Sequence, residues 1–289
     1  MNQIDNKKLN ETSKLIDTLR KKCPLTHCIT NFVTVNDCAN SVLAIGGSPA
    51  MANEKEEVTE FVDIAGSLVI NIGTIFEHDQ LAIMKAATHA KKVETPVILD
   101  PVAVGVTKLR NEITKKIIEE SNVSIIRGNM SEIKAIGKLF NIVDECTMAK
   151  GVDVATNDII TKENIKEKGQ LVKNIAYKLN TVIAVSGKID IISDGKHSYA
   201  IDNGNEIMTK ITGSGCMLTA VIGSFMAVTT PLNAAIIGSL SMAIAGELAF
   251  KTISDNKEGT GSFRTYLIDE LYKINEDTIQ KYGKLYLIE

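Results

Sequence analysis

Four short apolar runs, each closing on a polar residue, constrain this chain more than any other feature. They are Ser67–Asn71 (SLVIN), Pro96–Asp100 (PVILD), Val123–Arg127 (VSIIR) and Thr181–Ser186 (TVIAVS). None alternates between apolar and polar residues, so none offers a face to water. Near-continuous apolar strands of this kind are buried on both faces, as in a parallel sheet covered by helices. Helical stretches fall between them, near His78–Lys92, Glu112–Ser121, Ser131–Leu139 and Asn164–Leu179. Strand and helix in alternation are the grammar of an α/β domain with right-handed crossovers. Ile189–Ser193 and Lys196–Ile201, joined by Asp194-Gly195, read as a hairpin on one side of that sheet. Beyond Gly213 three helices are expected, over Cys216–Val228, Leu232–Thr252 and Phe263–Gln280. No linker, repeat or low-complexity tract divides the 289 residues, so the expectation is one domain over 1–289.

Composition narrows the function classes. Hydrophobic residues make up 44% of the chain, enough to offset the entropy of ordering it. Lys and Arg number 32 against 35 Asp and Glu, a net charge of -3. That balance gives no basic face for nucleic acid or anionic membrane. An aromatic fraction of 4% without Trp argues against a platform for stacked bases. The cysteines are Cys23, Cys28, Cys38, Cys146 and Cys216. An odd, uneven set without a CxxC pair suits neither a disulfide framework nor a zinc knuckle. Met1–Lys22 is polar and lysine-rich, unlike a signal peptide. The longest apolar stretch, Ala234–Phe250, is interrupted by Ser239, Ser241, Gly246 and Glu247 and reads as a buried helix rather than a membrane span. A soluble, reduced, cytoplasmic protein is expected.

Ligands of α/β domains bind at the carboxyl ends of the strands, where Asp100, Arg127 and Ser186 stand. Thr212-Gly213-Ser214-Gly215-Cys216 precedes an apolar helix. Glycines there allow close backbone approach, and the free N–H groups of the helix start form an anion hole. The plainer reading is a capped, glycine-rich helix start. Cys216 in that first turn suits a thiolate base, or equally a small packing residue. Arg127 in Arg127-Gly128-Asn129-Met130-Ser131-Glu132 suits a bidentate phosphate clamp. Glu132 suits magnesium, directly or through water, or else simply complements the helix dipole. Asp100, followed by Pro101, is placed to orient metal-bound water or to shape a turn. Asn31, with Val33 and Met51, suits a small aromatic pocket or the core. Nothing pairs His27 and Cys28 with a third nucleophilic partner, and no Walker A motif occurs, so a Cys–His hydrolase and a P-loop enzyme are both disfavoured.

Taken in order, CITNFV, GGSPAM, LDPVAVG, RGNMSEI, AVSGKIDIISDG and TGSGCMLTA resemble the hydroxyethylthiazole kinases, thiamine-salvage enzymes of the ribokinase-like superfamily. The resemblance runs from about Leu25 to Phe250. It implies a three-layer fold with a central, mostly parallel sheet flanked by helices and no separate lid domain. It also implies a homotrimer with active sites at subunit boundaries, ATP as co-substrate and Mg2+ as cofactor. By the same resemblance Asn31, Val33, Met51 and Gly213 would contact the thiazole alcohol, while Arg127 and Ser186 bind ATP. Asp100 and Glu132 would organise Mg2+, and Gly213, Gly215 and Cys216 would serve the transfer itself. Most of the superfamily carries Asp where this chain has Cys216, which leaves the thiol as base or as space-filler. Ser186 stands where relatives commonly carry Thr. A pyrimidine or pyridoxal-like alcohol as acceptor, an ATP-dependent dehydratase and a silent nucleotide binder are the rivals. The GxGC ending and CITN distinguish the chain from the first two.

Overall fold

The computed structural model of the chain describes residues 3–143 and 158–288; Cys146 lies outside them. The sheet has nine strands: β1 (Leu25–Ile29), β2 (Ser48–Ala50), β3 (Ser67–Asn71), β4 (Val97–Asp100), β5 (Val123–Asn129), β6 (Val182–Ser186), β7 (Asp190–Ser193), β8 (Ser198–Ile201) and β9 (Leu285–Leu287). Their order is β2-β1-β3-β4-β5-β6-β7-β8-β9. From β2 to β6 all neighbours are parallel; β7, β8 and β9 add antiparallel pairs. The four runs identified from sequence form β3 to β6. Every residue of β3 and β4 is buried, which is why these strands need no polar face. The hairpin forms as expected, with Gly195 at φ +83 in the turn. β1 is hidden in the sequence by its polar Thr26 and His27, and β2 and β9 by having only three residues each.

Successive strand residues point to opposite faces, so each strand feeds two cores. Val69, Ile98 and Ile125 join one core, with Leu9, Ile16, Leu19, Val42, Phe225, Leu240 and Phe263 from the helices α1 (Asn6–Ser13), α2 (Leu15–Lys22), α3 (Val35–Ile45), α9 (Ser214–Met226), α10 (Pro231–Asn256) and α11 (Thr260–Lys273). Leu68, Ile70, Leu99 and Ile126 join the other. Its helices are α4 (Val58–Ile64), α5 (Glu77–Val93), α6 (Lys108–Glu120), α7 (Met130–Leu139) and α8 (Ile165–Leu179). The polar N-terminal stretch thus supplies two amphipathic helices to the first core. Helix α10 is long and apolar enough to cross a membrane, yet 83% of its apolar window is buried inside the fold.

The single helix expected over Phe263–Gln280 is two, α11 and α12 (Glu276–Tyr282). Asn275 lies between them in extended conformation, and its side chain accepts from Thr278 N–H. An Asn that caps the next helix ends the previous one, a local choice that apolar spacing does not register.

Candidate active site

The carboxyl ends of β1, β3, β4, β5 and β6 meet the N-terminus of α9. Asn71 and Asp100 close β3 and β4 side by side in register. Asn71 Nδ2 donates to Asp100 Oδ2 at 2.8 Å, and its Oδ1 accepts from Gly73 N–H at 2.8 Å. A backbone N–H only donates, so the orientation of this amide is determined by its neighbours. Asn31 Nδ2 in turn donates to Asn71 Oδ1 at 3.0 Å, and Asn31 Oδ1 accepts from Thr34 Oγ1 at 3.1 Å. Both amide nitrogens also lie 3.3 Å from Cys216 Sγ. The sulfur is therefore an acceptor of two N–H groups. One turn along α9, Thr219 Oγ1 donates to Asp100 Oδ2 at 2.7 Å.

Gly213 begins α9 at φ +83, and a Cβ there would sit 2.4 Å from Thr34 Cγ2. Both the backbone conformation and the close approach require glycine. A Cβ on Gly215 would sit 2.6 Å from an Arg127 nitrogen. The guanidinium is thus laid against the first turn of the helix. A cation at the positive end of a helix is unfavourable on its own, and the pairing becomes favourable when an anion joins them. Arg127 also donates to Ser186 Oγ and lies 3.5 Å from Asp100 Oδ2. Its Nε is buried with no partner among the described residues.

Burial pushes the Asp100 carboxyl above the ordinary carboxylate range; Arg127, Thr219 and Asn71 oppose that shift and Glu132 adds to it. Its Oδ1 is buried without a partner among the described residues. Glu132 sits in a capping box at the start of α7. Its Oε2 accepts from Asn129 N–H at 2.8 Å, while its own N–H donates to Asn129 Oδ1 at 2.9 Å. Its Oε1 accepts from Ala103 N–H at 2.8 Å, holding Ala103 at φ +61 in the loop after β4. Each Glu132 oxygen keeps a free lone pair. No group of three or more His, Cys, Asp or Glu able to hold a metal occurs among the described residues. Magnesium needs only one or two carboxylates besides phosphate and water oxygens, so Asp100 and Glu132 fit it, Asp100 with the oxygen that lacks a partner.

Behind this layer Arg110 on α6 donates to Ile72 O, to Val102 O at 2.7 Å and to Gly73 O at 2.7 Å, tying the loops after β3 and β4 together. A cleft of about 820 Å³ opens from Arg127 and Gly215 past Ser186 and Lys188 to Asn203 and Met242. On the opposite side Met51 follows β2 and packs half-buried against the core. The next residue accepts from His27, whose Nε2 lies 2.8 Å from Ala52 O. Burial keeps that imidazole below its usual pKa, hence neutral. Val33 is 52% exposed.

The sequence-derived residues Asn31, Asp100, Arg127, Ser186, Gly213, Gly215 and Cys216 come together in one network, braced by Glu132. Met51 and Val33 flank it without a side-chain hydrogen bond. Asn71, Thr219, Thr34 and Arg110 were not anticipated. Asn71 carried a usable signal, because it closes SLVIN as Asp100 closes PVILD. Thr219 lies one turn beyond Gly215, on the same helix face.

The chain is similar along nearly its whole length to known proteins. A family profile described as the hydroxyethylthiazole kinase family matches residues 16–277. A Methanosphaera stadtmanae protein named hydroxyethylthiazole kinase 2 is 67% identical over 97% of this chain and 100% of its own length. The solved structure of a hydroxyethylthiazole kinase protein from Pyrococcus horikoshii OT3 superposes with a TM-score of 0.83 at 35% identity, covering 96% of this chain and 99% of that one. A ribokinase-like superfamily protein from Enterococcus faecalis V583 shares the fold, with a TM-score of 0.59 at 13% identity over 94% of this chain and 96% of its own. With glycines, guanidinium and buried carboxylate gathered at the strand ends of a ribokinase-like sheet, and with relatives this similar along nearly the whole length, the chain belongs to the hydroxyethylthiazole kinase family.

Proposed function

We propose that this chain transfers the γ-phosphoryl group of ATP to the hydroxyl of 4-methyl-5-(2-hydroxyethyl)thiazole, giving ADP and the thiazole monophosphate, a step of thiamine salvage. The observation that carries the reading is the Arg127 guanidinium laid against the first turn of α9, an arrangement completed by an anion. Phosphoryl transfer asks a protein mainly for positioning and charge stabilisation, and the site is built for both.

Arg127 and Ser186 hold phosphate oxygens of ATP, with the free Nε of Arg127 as a further donor. The N–H groups of Gly213, Ser214, Gly215 and Cys216 receive the group in transfer. The substrate hydroxyl lies beside Gly213, its ring between Asn31, Val33 and Met51. Cys216 faces that hydroxyl with two amides aimed at its sulfur, so the sulfur accepts, as a proton-abstracting group must. Asp100 and Glu132 would hold Mg2+, which when bound neutralises phosphate charge. Asn71 and Thr219 keep the Asp100 carboxylate in place.

We assign the whole chain to one domain. The active form in this reading is a homotrimer with sites at subunit boundaries, supported by the apolar residues left at the acceptor side. Phe32 and Phe76 stack 6.1 Å apart while 64% and 53% exposed, next to Val33. Free thiols at Cys23, Cys28, Cys38 and Cys216 suit the reducing cytoplasm.

The test is ADP release from Mg-ATP with and without hydroxyethylthiazole, beside hydroxymethylpyrimidine and pyridoxal. Stimulation by the thiazole alone is the expected result. Stimulation by another alcohol would leave the phosphate site standing and remove the assignment of Asn31, Val33 and Met51. No release with any alcohol would move a dehydratase or a nucleotide binder to the front.

A further inference from the structure

One buried acid of the cleft has no role in the assignments above. Asp190 opens β7, immediately after the turn that leaves β6 at Ser186. Its Oδ1 accepts from Gly187 N–H at 2.9 Å, and the residue is 8% exposed while lining the cleft beside Arg127, Ser186 and Gly187. No Lys or Arg stands within ion-pair distance of it among the described residues, unlike Asp202 and Asp158 at the rim. Asp202 is paired with Lys162 at 3.2 Å, and Asp158 with Lys134.

The charged groups around Asp190 are few. Arg127 faces it from β5 and Lys188 belongs to its own turn; Asp202 and Glu206 come from the segment after β8, and Asp158 precedes α8. Helix α10 brings only Ser239, Met242 and Ala243 to the cleft. Burial pushes the Asp190 carboxyl up to about 7, against the opposing pull of the Gly187 N–H and of Arg127. Near neutral pH the group is therefore divided between its acid and its anion. The two forms treat a phosphate oppositely. The anion repels it, whereas the acid, with Oδ1 already accepting, carries its proton on Oδ2 and donates.

We propose that Asp190 completes the nucleotide site as a protonated carboxyl that donates to a phosphate oxygen, so that nucleotide binding takes up a proton from solvent at this residue. The inference rests on the ATP reading above. The proton balance is simple: where Asp190 is ionised in the free protein, one proton moves from buffer to its Oδ2 as the phosphate arrives. Linkage then makes nucleotide affinity fall as pH rises above about 7, by at most about tenfold per pH unit for a single proton.

Calorimetric titration of the full chain with Mg-ADP, in two buffers of different ionisation enthalpy between about pH 6 and 8, measures that proton directly. Wild type should show a net uptake that Asp190→Asn lacks, and a steeper loss of affinity with pH. Asparagine keeps an acceptor for Gly187 N–H and removes only the titration. The nucleotide's own phosphate ionisation is common to both proteins and cancels in the difference. Equal uptake and equal slope in the two proteins would overturn the proposal while leaving ATP binding intact. Absence of any nucleotide heat would overturn the ATP reading and this proposal with it. Should Asp190→Asn fail to fold, infrared spectroscopy of wild type decides instead. A protonated-carboxyl band that grows on Mg-ADP addition supports the proposal, and no such gain overturns it.

Discussion

The two halves of the site are built on opposite principles. On the acceptor side Asn31, Asn71, Thr34 and Thr219 have their polar atoms matched to one another, to Asp100 and to Cys216. On the nucleotide side polar atoms are left over: among the described residues Arg127 Nε and Asp100 Oδ1 are buried without partners, and Asp190 has no cation within ion-pair distance. Buried polar groups are normally paired, and an unpaired one lowers stability. Such atoms persist where a ligand supplies the partner. The contrast therefore separates a half whose polar groups are already matched from a half that, in the proposed reading, is completed by the nucleotide.

Removing the clamp should break this contrast most severely. Arg127→Ala takes away the proposed phosphate donor and is expected to lower kcat/KM by about 10²–10³-fold, in line with loss of a transition-state donor. Circular dichroism should show the fold retained. Gly213→Ala, with a Cβ forced against Thr34, should also depress turnover with the fold intact.

Next comes the thiol. Cys216→Asp should keep activity, because a carboxylate accepts a proton in the same place, whereas Cys216→Ser should lose it. Full turnover by the serine variant would end the base assignment and leave the helix amides as the main catalytic element.

The matched half predicts a different signature. Asn71→Ala strips donors from Asp100 and Cys216 and an acceptor from Gly73 at once. It should cost about 1–3 kcal/mol of stability, read by urea unfolding, besides reducing turnover. A variant that lost turnover without losing stability would show that the amide network is not a structural brace.

The smallest effect sharpens the other half. Asp190 has its folded pKa raised to about 7, above the ordinary carboxylate value. The folded state therefore binds this proton more tightly than the unfolded one. The resulting stability is present at low pH and is lost as pH rises from the unfolded carboxylate pKa through about 7. The decline in Tm over that window should be shallower in Asp190→Asn, and an identical pH profile would show that Asp190 is not held protonated.

Much of this was legible along the chain. Unbroken apolar runs announce strands buried on both faces, and polar residues mark where they end. Asp100, Arg127 and Ser186 close such runs, and the glycines before Cys216 stand out instead at the start of an apolar helix. The strands β1, β2 and β9 were not legible, since Thr26 and His27 interrupt the apolar run of β1 and the other two have only three residues each. Nor was the break at Asn275, where one side-chain cap outweighs apolar spacing. Glu132 shows the limit most clearly. A lone acid in a first turn reads as a metal ligand or a dipole partner, and in the fold it also braces Ala103 across to the loop after β4.

The sequence by itself determined the alternation of strand and helix, the strand ends and the residue types standing there, because those depend on neighbours a few positions apart. Only the tertiary structure decided the partnerships. Asn31 meets Cys216 across 185 residues, and Asp100 meets Thr219 across 119. Hydrogen bonds act over about 3 Å in space, and which distant groups come within that reach is settled by how two cores pack on opposite faces of one sheet.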